Sequence, residues 1–254
     1  LFRSQPPKTV DEMMAAAEKI KAAGGLPFAL STQNWQINWL WGNLLAGIGG
    51  RTVYEQFTNS DPKVFSNPAA IKAFEVLARI RGYIDPGASG RSWNANAGLV
   101  MNHKAAFQFM GDWAKGEFIA AGKKLGPQGD VGCMLMPGTQ DFYLMIGDSI
   151  AMPSGVKPEV QAAQKKLAEI VMSRDVQIKF AQAKGSIPFR TDIKAEGFDD
   201  CAALAIKTMS KPSAQVPHVA MALRNEVAGA VSDVVAKYWN NPSMTPQQGA
   251  EDRK

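Results

Sequence analysis

The spacing of apolar residues along the chain predicts an alternation of helices and strands. A helix is expected over residues 10–23, where apolar side chains recur every three or four positions. The capping box T-V-D-E at 9–12 begins this helix, and the glycine pair at 24–25 ends it. An apolar run at 26–30 predicts a short strand, and the aromatic-rich stretch 33–41 begins another helix. This order is typical of an α/β fold.

The remaining elements follow from the same reasoning. Further helices are expected from Pro68 to the turn at 83–87, near 113–121, and over 158–172, 175–183 and 217–238, with strands over 105–110, 132–136 and 142–152. The last predicted helix begins at 245 and has few residues left to run. Because an α/β domain usually has a strand before its first helix, we expect segments to be missing at both ends.

Composition places the chain among folded globular proteins. It has 254 residues, of which 46% are hydrophobic and 20% charged, enough for one large domain or two ordinary ones. The formal charge is +5, but Lys and Arg are interspersed with Asp and Glu, so we expect no nucleic-acid binding. No apolar run reaches the ~18 residues that a membrane-spanning helix needs.

Motifs for catalysis or metal binding are absent from the sequence. There is no nucleophile elbow, phosphate loop, dinucleotide fingerprint or H-E-x-x-H motif, so neither an enzyme nor a cofactor is indicated. The two histidines, His103 and His218, lie far apart in the sequence, and no zinc site is expected. Cys133 and Cys201 allow either one disulfide or two buried thiols.

Two tryptophans lie beside polar residues in stretches that resemble turns. Trp93 follows Ser92 and precedes Asn94, and Trp113 follows Asp112. An indole offers a flat apolar face to a sugar ring, while carboxylate and amide groups bond its hydroxyls. Packing in the core is the alternative for both tryptophans.

The segment GDWAKGEF at 111–118 resembles the family 1, or cluster B, extracellular solute-binding proteins of bacterial ABC importers, which commonly carry a G-[DPS]-W motif. The similarity extends to 6–12, 138–153 and 184–192 and covers nearly the whole chain. Within that family the glucose/mannose binders are the most similar, because they share D-P-G followed by W-N, which here spans 85–94.

The resemblance implies a type II periplasmic-binding-protein fold, like that of maltose-binding protein, with two α/β lobes. Residues 1–143 correspond to the C-terminal lobe, 148–191 to a short return segment of the N-terminal lobe, and 195–254 to the C-terminal lobe again. Interlobe crossings are then expected near 148 and 191–195. Most of the N-terminal lobe would precede residue 1.

The same resemblance implies a function as a periplasmic, monomeric receptor. It would bind a monosaccharide between its lobes, glucose first and then mannose or galactose, and deliver the sugar to membrane permease subunits. No bond would be made or broken. Two alternatives stay open, which are a carbohydrate-active enzyme and a truncated lobe without binding activity.

Several residues are implied to contact the sugar. Trp93 is expected to stack on the ring, and Trp113 with Asp112 to form a second wall. Asp148 would accept hydroxyl bonds, although it could instead orient the strand between the lobes. Lys184 would donate to hydroxyls, or serve only as a helix-terminal charge.

The remaining candidates have a weaker basis. His218 would donate to sugar or cap a helix, and Trp35 and Gln33 are further contact candidates. Core packing is preferred for Trp39, Trp41 and Trp239. Because Cys133 and Cys201 both fall in the implied C-terminal lobe of an extracytoplasmic protein, the resemblance favours a disulfide between them.

Overall fold

The computed structural model describes residues 5–251 of the protein. The α-helices are α1 Val10–Ala22, α2 Asn34–Thr58, α3 Pro68–Arg81, α4 Trp93–Met101, α5 Lys115–Ala120, α6 Pro158–Val171, α7 Arg174–Lys184, α8 Asp200–Met209, α9 Val219–Ala222, α10 Asn225–Asn240 and α11 Pro246–Glu251. The strands are β1 Leu26–Ala29, β2 Ala105–Gln108, β3 Tyr143–Met145 and β4 Gln215–Pro217. Within residues 5–251, no helix combines the length and the apolar character of a membrane span.

The strands form two short parallel pairs. In the first, β1 runs beside β2 with Leu26 opposite Ala105, and in the second, β3 runs beside β4 with Tyr143 opposite Gln215. Parallel strands need a long crossover, and α2, α3 and α4 lie in the connection between β1 and β2. Helices α1 and α4 pack against that pair. The predicted α/β character is therefore confirmed.

The hydrophobic core lies where α2, α3 and α10 pack together. Aromatic rings fill it, with Trp41 at 5.0 Å from Phe74 and Phe74 at 4.8 Å from Tyr238, measured between ring centroids. Helix α2 is interrupted at Gly50, whose φ is 69°. The first half of α2 packs on this core through Ile37, Leu40 and Trp41, and other residues of that half supply one wall of the site described below.

One predicted strand does not form, and another is shorter than predicted. Residues 132–136 form no strand, because no neighbouring strand pairs with their backbone; the only bridge nearby among the described residues joins Leu125 to Val131. The strand predicted over 142–152 is limited to β3, since only that part faces β4. The residues that follow it are largely exposed.

The helices also differ from the prediction in three places. The single helix predicted over 217–238 is divided into β4, α9 and α10, because Leu223 has extended backbone angles and ends α9. Trp93 was expected in a turn but is the first residue of α4. Helix α8 was not predicted, although Asp199 caps it by accepting the amide N–H of Ala202 at 2.9 Å.

An apolar face on α6 and α7 is exposed to solvent. Helix α6 is amphipathic, yet none of its residues is buried. The exposed apolar side chains of this region are Val160, Leu167, Ile170, Met172, Phe180 and Phe189, which we call the α6–α7 face. An apolar stripe of this kind normally packs against another element.

Candidate functional site

Trp113 is held in a fixed orientation by its local backbone. It lies in a single 3₁₀ turn, Asp112–Ala114, between β2 and α5. A Cβ on Gly111, the residue before this turn, would lie 2.1 Å from the Trp113 ring, so a larger residue there would displace the indole. The G-D-W sequence thus lets the indole lie across the backbone of its own turn.

Trp113 stacks on Trp39 of α2. The two ring centroids are 4.8 Å apart and the ring planes differ by 17°. One helical turn earlier, Trp35 lies with its ring centroid 5.9 Å from that of Trp39 and is 43% exposed. We call Trp35, Trp39 and Trp113 the tryptophan wall. It offers the flat apolar surface that sugar rings bind in proteins.

His218 lies against this wall at the start of α9. Its ring meets that of Trp39 edge to face, with centroids 4.9 Å apart. Its Nδ1 accepts the indole N–H of Trp39 at 2.9 Å and the amide N–H of Ala220 at 3.2 Å. Its own backbone N–H donates to the carbonyl of Met145 at 2.7 Å. The expected capping role of His218 is therefore present.

The protonation state of His218 follows from its surroundings. Burial lowers its pKa to about 4, so the ring is neutral at pH 7. Since Nδ1 accepts two hydrogen bonds, the single ring proton is on Nε2. Within the described residues, this buried Nε2 has no hydrogen-bond partner. His218 is therefore a neutral donor.

Two depressions meet at the tryptophan wall. A large open cavity of about 3330 Å³ and a smaller groove of about 880 Å³ both include Trp39, Trp113, Ile146 and His218 in their linings. Trp35 lines only the groove. The wall can therefore be approached from two sides.

Asp112 adds a partly buried carboxyl group to the large cavity. Burial raises its pKa, which the nearby charges of Lys115 and Lys184 and the backbone N–H groups of Trp113 and Ile187 oppose. The two backbone N–H groups also serve as hydrogen-bond donors to the carboxylate. Its remaining lone pairs suit the hydroxyl groups of a bound sugar.

Tyr143 and Lys115 surround Asp112. Burial raises the pKa of Tyr143, and the negative charge of Asp112 raises it further, so this phenol stays protonated and can donate. Lys115 is buried and its Nζ donates to both carboxylate oxygens of Asp199 at 3.0 and 3.1 Å. Lys115 thus ties the turn of Trp113 to the start of α8.

Lys184 and Asp148 are paired with each other. Lys184 is the last residue of α7, and its Nζ donates to the carboxylate of Asp148. Gly185 ends the helix with φ 84°, where a Cβ would also come within 2.5 Å of the Gly116 nitrogen. Both members of the pair line the large cavity, and the Asp148 side chain is 82% exposed.

Gln33 and Trp35 are joined at the start of α2. The side-chain oxygen Oε1 of Gln33 accepts the indole N–H of Trp35 at 3.0 Å and the Nε2 of Gln36 at 2.9 Å. The Oε1 of Gln36 is buried and has no partner within the described residues. Gln36 lines the large cavity, and Gln33 lines the groove.

Trp93 lies away from this cluster. It is partly buried at the start of α4, and its carbonyl accepts the side-chain N–H of Gln108 at 2.8 Å. It lines neither the large cavity nor the groove. The other predicted contact residues border these two depressions: Asp112, Trp113, Asp148, Lys184 and His218 the large cavity, and Gln33, Trp35, Trp113 and His218 the groove.

The two cysteines are joined in a disulfide. Cys133 and Cys201 have Cα atoms 5.5 Å apart and are separated by 68 positions in the sequence. The bond links the segment before β3 to α8, beside the large cavity. It fixes the irregular segment in which a strand had been predicted.

The profile of the bacterial extracellular solute-binding proteins matches residues 1–205 of the chain. The chain belongs to this family. The resemblance seen in the G-D-W segment is thereby confirmed.

Individual members of the solute-binding family align over much of the chain. A probable sugar-binding periplasmic protein of Mesorhizobium japonicum is 34% identical over 252 residues, which cover 97% of this chain and 60% of that protein. A xylose/arabinose-binding protein of Haloferax volcanii is 31% identical over 192 residues, covering 74% of this chain and 40% of that protein. The chain spans about three fifths of the length of the first relative. Both relatives are named for binding and neither for a reaction.

Solved structures of solute-binding proteins share the fold. A chitin oligosaccharide binding protein superposes with a TM-score of 0.72 at 20% identity, covering 98% of this chain and 64% of that one. A Streptococcus pneumoniae solute-binding protein in complex with the blood group A-trisaccharide gives 0.71 at 17% identity, again covering 98% and 64%. The expected fold, like that of maltose-binding protein, is confirmed.

Sequence reasoning missed two residues of the site. Trp39 was assigned to core packing, yet it carries the contacts to both Trp113 and His218. Gln36 was not considered. Positions 36, 39, 40 and 43 all line the large cavity. Their helical spacing places them on one face of α2, and this spacing could have identified Trp39 and Gln36 from the sequence. The apolar character of the whole stretch obscured it.

Proposed function

We propose that the protein is the sugar receptor of a bacterial ABC importer, located in the periplasm. It binds a monosaccharide, with glucose first and then mannose or galactose, and presents it to the permease subunits as a monomer. The observation that carries this proposal is the stacked pair Trp39 and Trp113 beside the neutral donor His218. The names of the relatives, which are given for sugar binding, support it.

The chemistry around the tryptophan wall suits a neutral polyhydroxyl ligand. Trp113 and Trp39 supply an apolar platform, Asp112 supplies acceptors, and His218 supplies a donor. Flat apolar area with a few convergent polar groups is the usual composition of a small-molecule site. Trp93 remains a proposed contact, and it is compared with Trp113 below.

Calorimetry distinguishes a receptor from an enzyme. By the full-length protein we mean this chain together with the N-terminal lobe that the family resemblance implies. We expect it to release heat on titration with D-glucose and to leave aryl glucosides uncleaved. Turnover of an aryl glucoside that a single carboxylate substitution abolishes would favour the carbohydrate-active enzyme. Absence of binding heat with every sugar, in a folded protein, would favour a scaffold without binding activity.

We also propose the lobe organisation that the family resemblance implies. Residues 1–143 and 195–254 form the C-terminal lobe, and 148–191 form a return segment of the N-terminal lobe, with crossings near 148 and 191–195. The exposed α6–α7 face supports this division, because a face of this kind would be buried against a second lobe. The relatives have the additional length that such a lobe requires.

Hydrogen exchange tests the lobe proposal. Backbone amides of α6 should exchange more slowly in the full-length protein than in the 254-residue chain alone. Amides of α3, which lie in the core, should exchange equally in both and serve as the control. Equal exchange of α6 in the two proteins would show that no second lobe covers this face.

A further inference from the structure

Two residues that line the large cavity each carry a buried polar atom that has no partner within residues 5–251. These atoms are the Oε1 of Gln36, an acceptor, and the Nε2 of His218, a donor. The two residues are 2% and 3% exposed. Unpaired buried polar groups are rare because they are costly. Gln36 is bonded to Gln33, and His218 accepts the indole N–H of Trp39.

The hydrogen bond from Trp39 determines which ring nitrogen of His218 is an acceptor and which carries the proton. An indole N–H can only donate, so the nitrogen that faces it must be an acceptor. That nitrogen is Nδ1, which Trp39 reaches at 2.9 Å and which the amide N–H of Ala220 also reaches, at the longer distance of 3.2 Å. The ring proton is therefore placed on Nε2, which becomes the unpaired donor.

Trp35 determines the orientation of the Gln36 amide group through Gln33. Its indole N–H donates to Gln33, so the Gln33 atom at this point must be the oxygen. That oxygen also faces the side chain of Gln36, which must present its NH₂ group there. The Oε1 of Gln36 is then directed elsewhere and becomes the unpaired acceptor.

We propose that the indole N–H groups of Trp35 and Trp39 are positioning groups that fix Gln36 as an acceptor and His218 as a donor toward the ligand. This inference rests on the proposed function and deepens it. One acceptor and one neutral donor match hydroxyl groups, which both donate and accept. A carboxylate would be repelled at Gln36, and an ammonium group at His218. The pair therefore selects an uncharged sugar over a sugar acid or an amino sugar.

The positioning role of Trp39 can be tested without a ligand. The variant Trp39→Phe keeps an aromatic side chain, though a smaller one, and removes the N–H, and Trp41→Phe makes the same change two residues along the same helix in the core. The probe is the pH titration of the His218 ring signals by NMR in the full-length protein, assigned with a His218→Asn variant. Thermal melts establish that each variant is folded.

The two variants should differ in the protonation of His218. In the charged ring Nδ1 carries a proton and cannot accept from Trp39, so the indole N–H opposes protonation. We expect the titration midpoint to rise by about one pH unit in Trp39→Phe and to stay unchanged in Trp41→Phe. An unchanged midpoint in both variants would overturn the positioning role.

Sugar binding tests the second half of the proposal. In Gln36→Leu both the unpaired acceptor and the hydrogen bond to Gln33 are lost, so their effects on stability oppose each other and we expect little change in the melting temperature while D-glucose affinity falls roughly tenfold. Trp39→Phe should weaken D-glucose by a similar factor. A lower melting temperature with unchanged affinity in Gln36→Leu would show a purely structural amide and contradict the proposal.

Selectivity completes the experiment. Wild type should bind D-glucose at least roughly tenfold more tightly than D-glucuronate or D-glucosamine, and Gln36→Leu should reduce the preference over D-glucuronate. Equal affinity of wild type for the three sugars would overturn the selection of an uncharged ligand. If wild type binds none of them, the proposed function fails, and the ligand-free titration still decides the role of Trp39.

Discussion

The indole N–H of Trp39 donates to Nδ1 of His218 at 2.9 Å, although 179 positions separate the two residues in the sequence. This bond joins the first part of α2 to the start of α9. Trp113 stacks on the donor, Trp39. The platform and the donor of the candidate site are thus connected to each other. A change in one is expected to affect the other.

His218 should make the stability of the protein depend on pH. Its pKa is lowered from 6.5 to about 4 in the folded protein. Between these values the unfolded chain binds a proton that the folded chain does not, so the free energy of unfolding falls as the pH drops from 6.5 to 4. This contribution is fully present above pH 6.5, and its complete loss is on the order of 3 kcal/mol.

Urea unfolding at neutral pH and near pH 4.5 measures this contribution. The loss of stability between the two should be smaller in His218→Asn, which keeps a capping side chain. The exposed His103 provides the control, because His103→Asn should retain the wild-type pH dependence. The same pH dependence in His218→Asn and wild type would refute the assignment of a buried neutral ring.

Removal of the disulfide should destabilise the fold. The bond between Cys133 and Cys201 closes a long loop, with 68 positions between the cysteines. In the chain-entropy account this corresponds to on the order of 4 kcal/mol. The double variant Cys133→Ser/Cys201→Ser should melt at a clearly lower temperature than wild type, and addition of a reductant should lower the melting temperature of wild type alone. Equal melting temperatures would indicate a bond without structural effect.

The tryptophans of the candidate site should differ in their effect on sugar affinity. Trp113→Ala removes half of the stacked pair, so we expect D-glucose affinity to fall by roughly tenfold to a hundredfold. Trp93→Ala tests the residue that the sequence analysis expects to stack on the sugar ring, and Trp239→Ala, in the core, is expected to change stability alone. A larger loss in Trp93→Ala than in Trp113→Ala would place the sugar at α4 instead of at the tryptophan wall.

Asp148 should affect binding without affecting stability. Its side chain is mostly exposed, and an exposed ion pair such as Asp148–Lys184 contributes little to folding. As a charged acceptor it bonds sugar hydroxyls more strongly than an amide does. Asp148→Asn should therefore weaken D-glucose severalfold at an unchanged melting temperature. Asp192→Asn, which also removes a carboxylate from an exposed pair, should leave affinity unchanged.

Much of the fold could be predicted from local signals. The capping box at Thr9 and the proline at position 68 mark helix starts, and both helices begin where these signals place them. The errors arose where tertiary contacts decide the outcome. Residues near Cys133 are held by a disulfide and not by strand pairing, and the helix predicted over 217–238 is interrupted at Leu223, whose backbone is extended.

The candidate site was predictable in its members but not in its arrangement. Trp113 and His218 were identified from their neighbours in the sequence, while Trp39 was assigned to the core because its helix is apolar around it. Only the packing of α2 against the start of α9 brings Trp39 between the two. Hydrogen-bond polarity, which gives Gln36 its role, cannot be read from residue type.

Isothermal titration of the full-length protein with D-glucose, in wild type and Trp113→Ala, tests the central claim most directly. We expect a single binding isotherm for wild type, with one sugar per protein, and an affinity lower by at least roughly tenfold in the folded variant. Identical isotherms for the two proteins would contradict a sugar site at the tryptophan wall, and absence of heat from wild type with glucose, mannose and galactose alike would contradict the receptor itself.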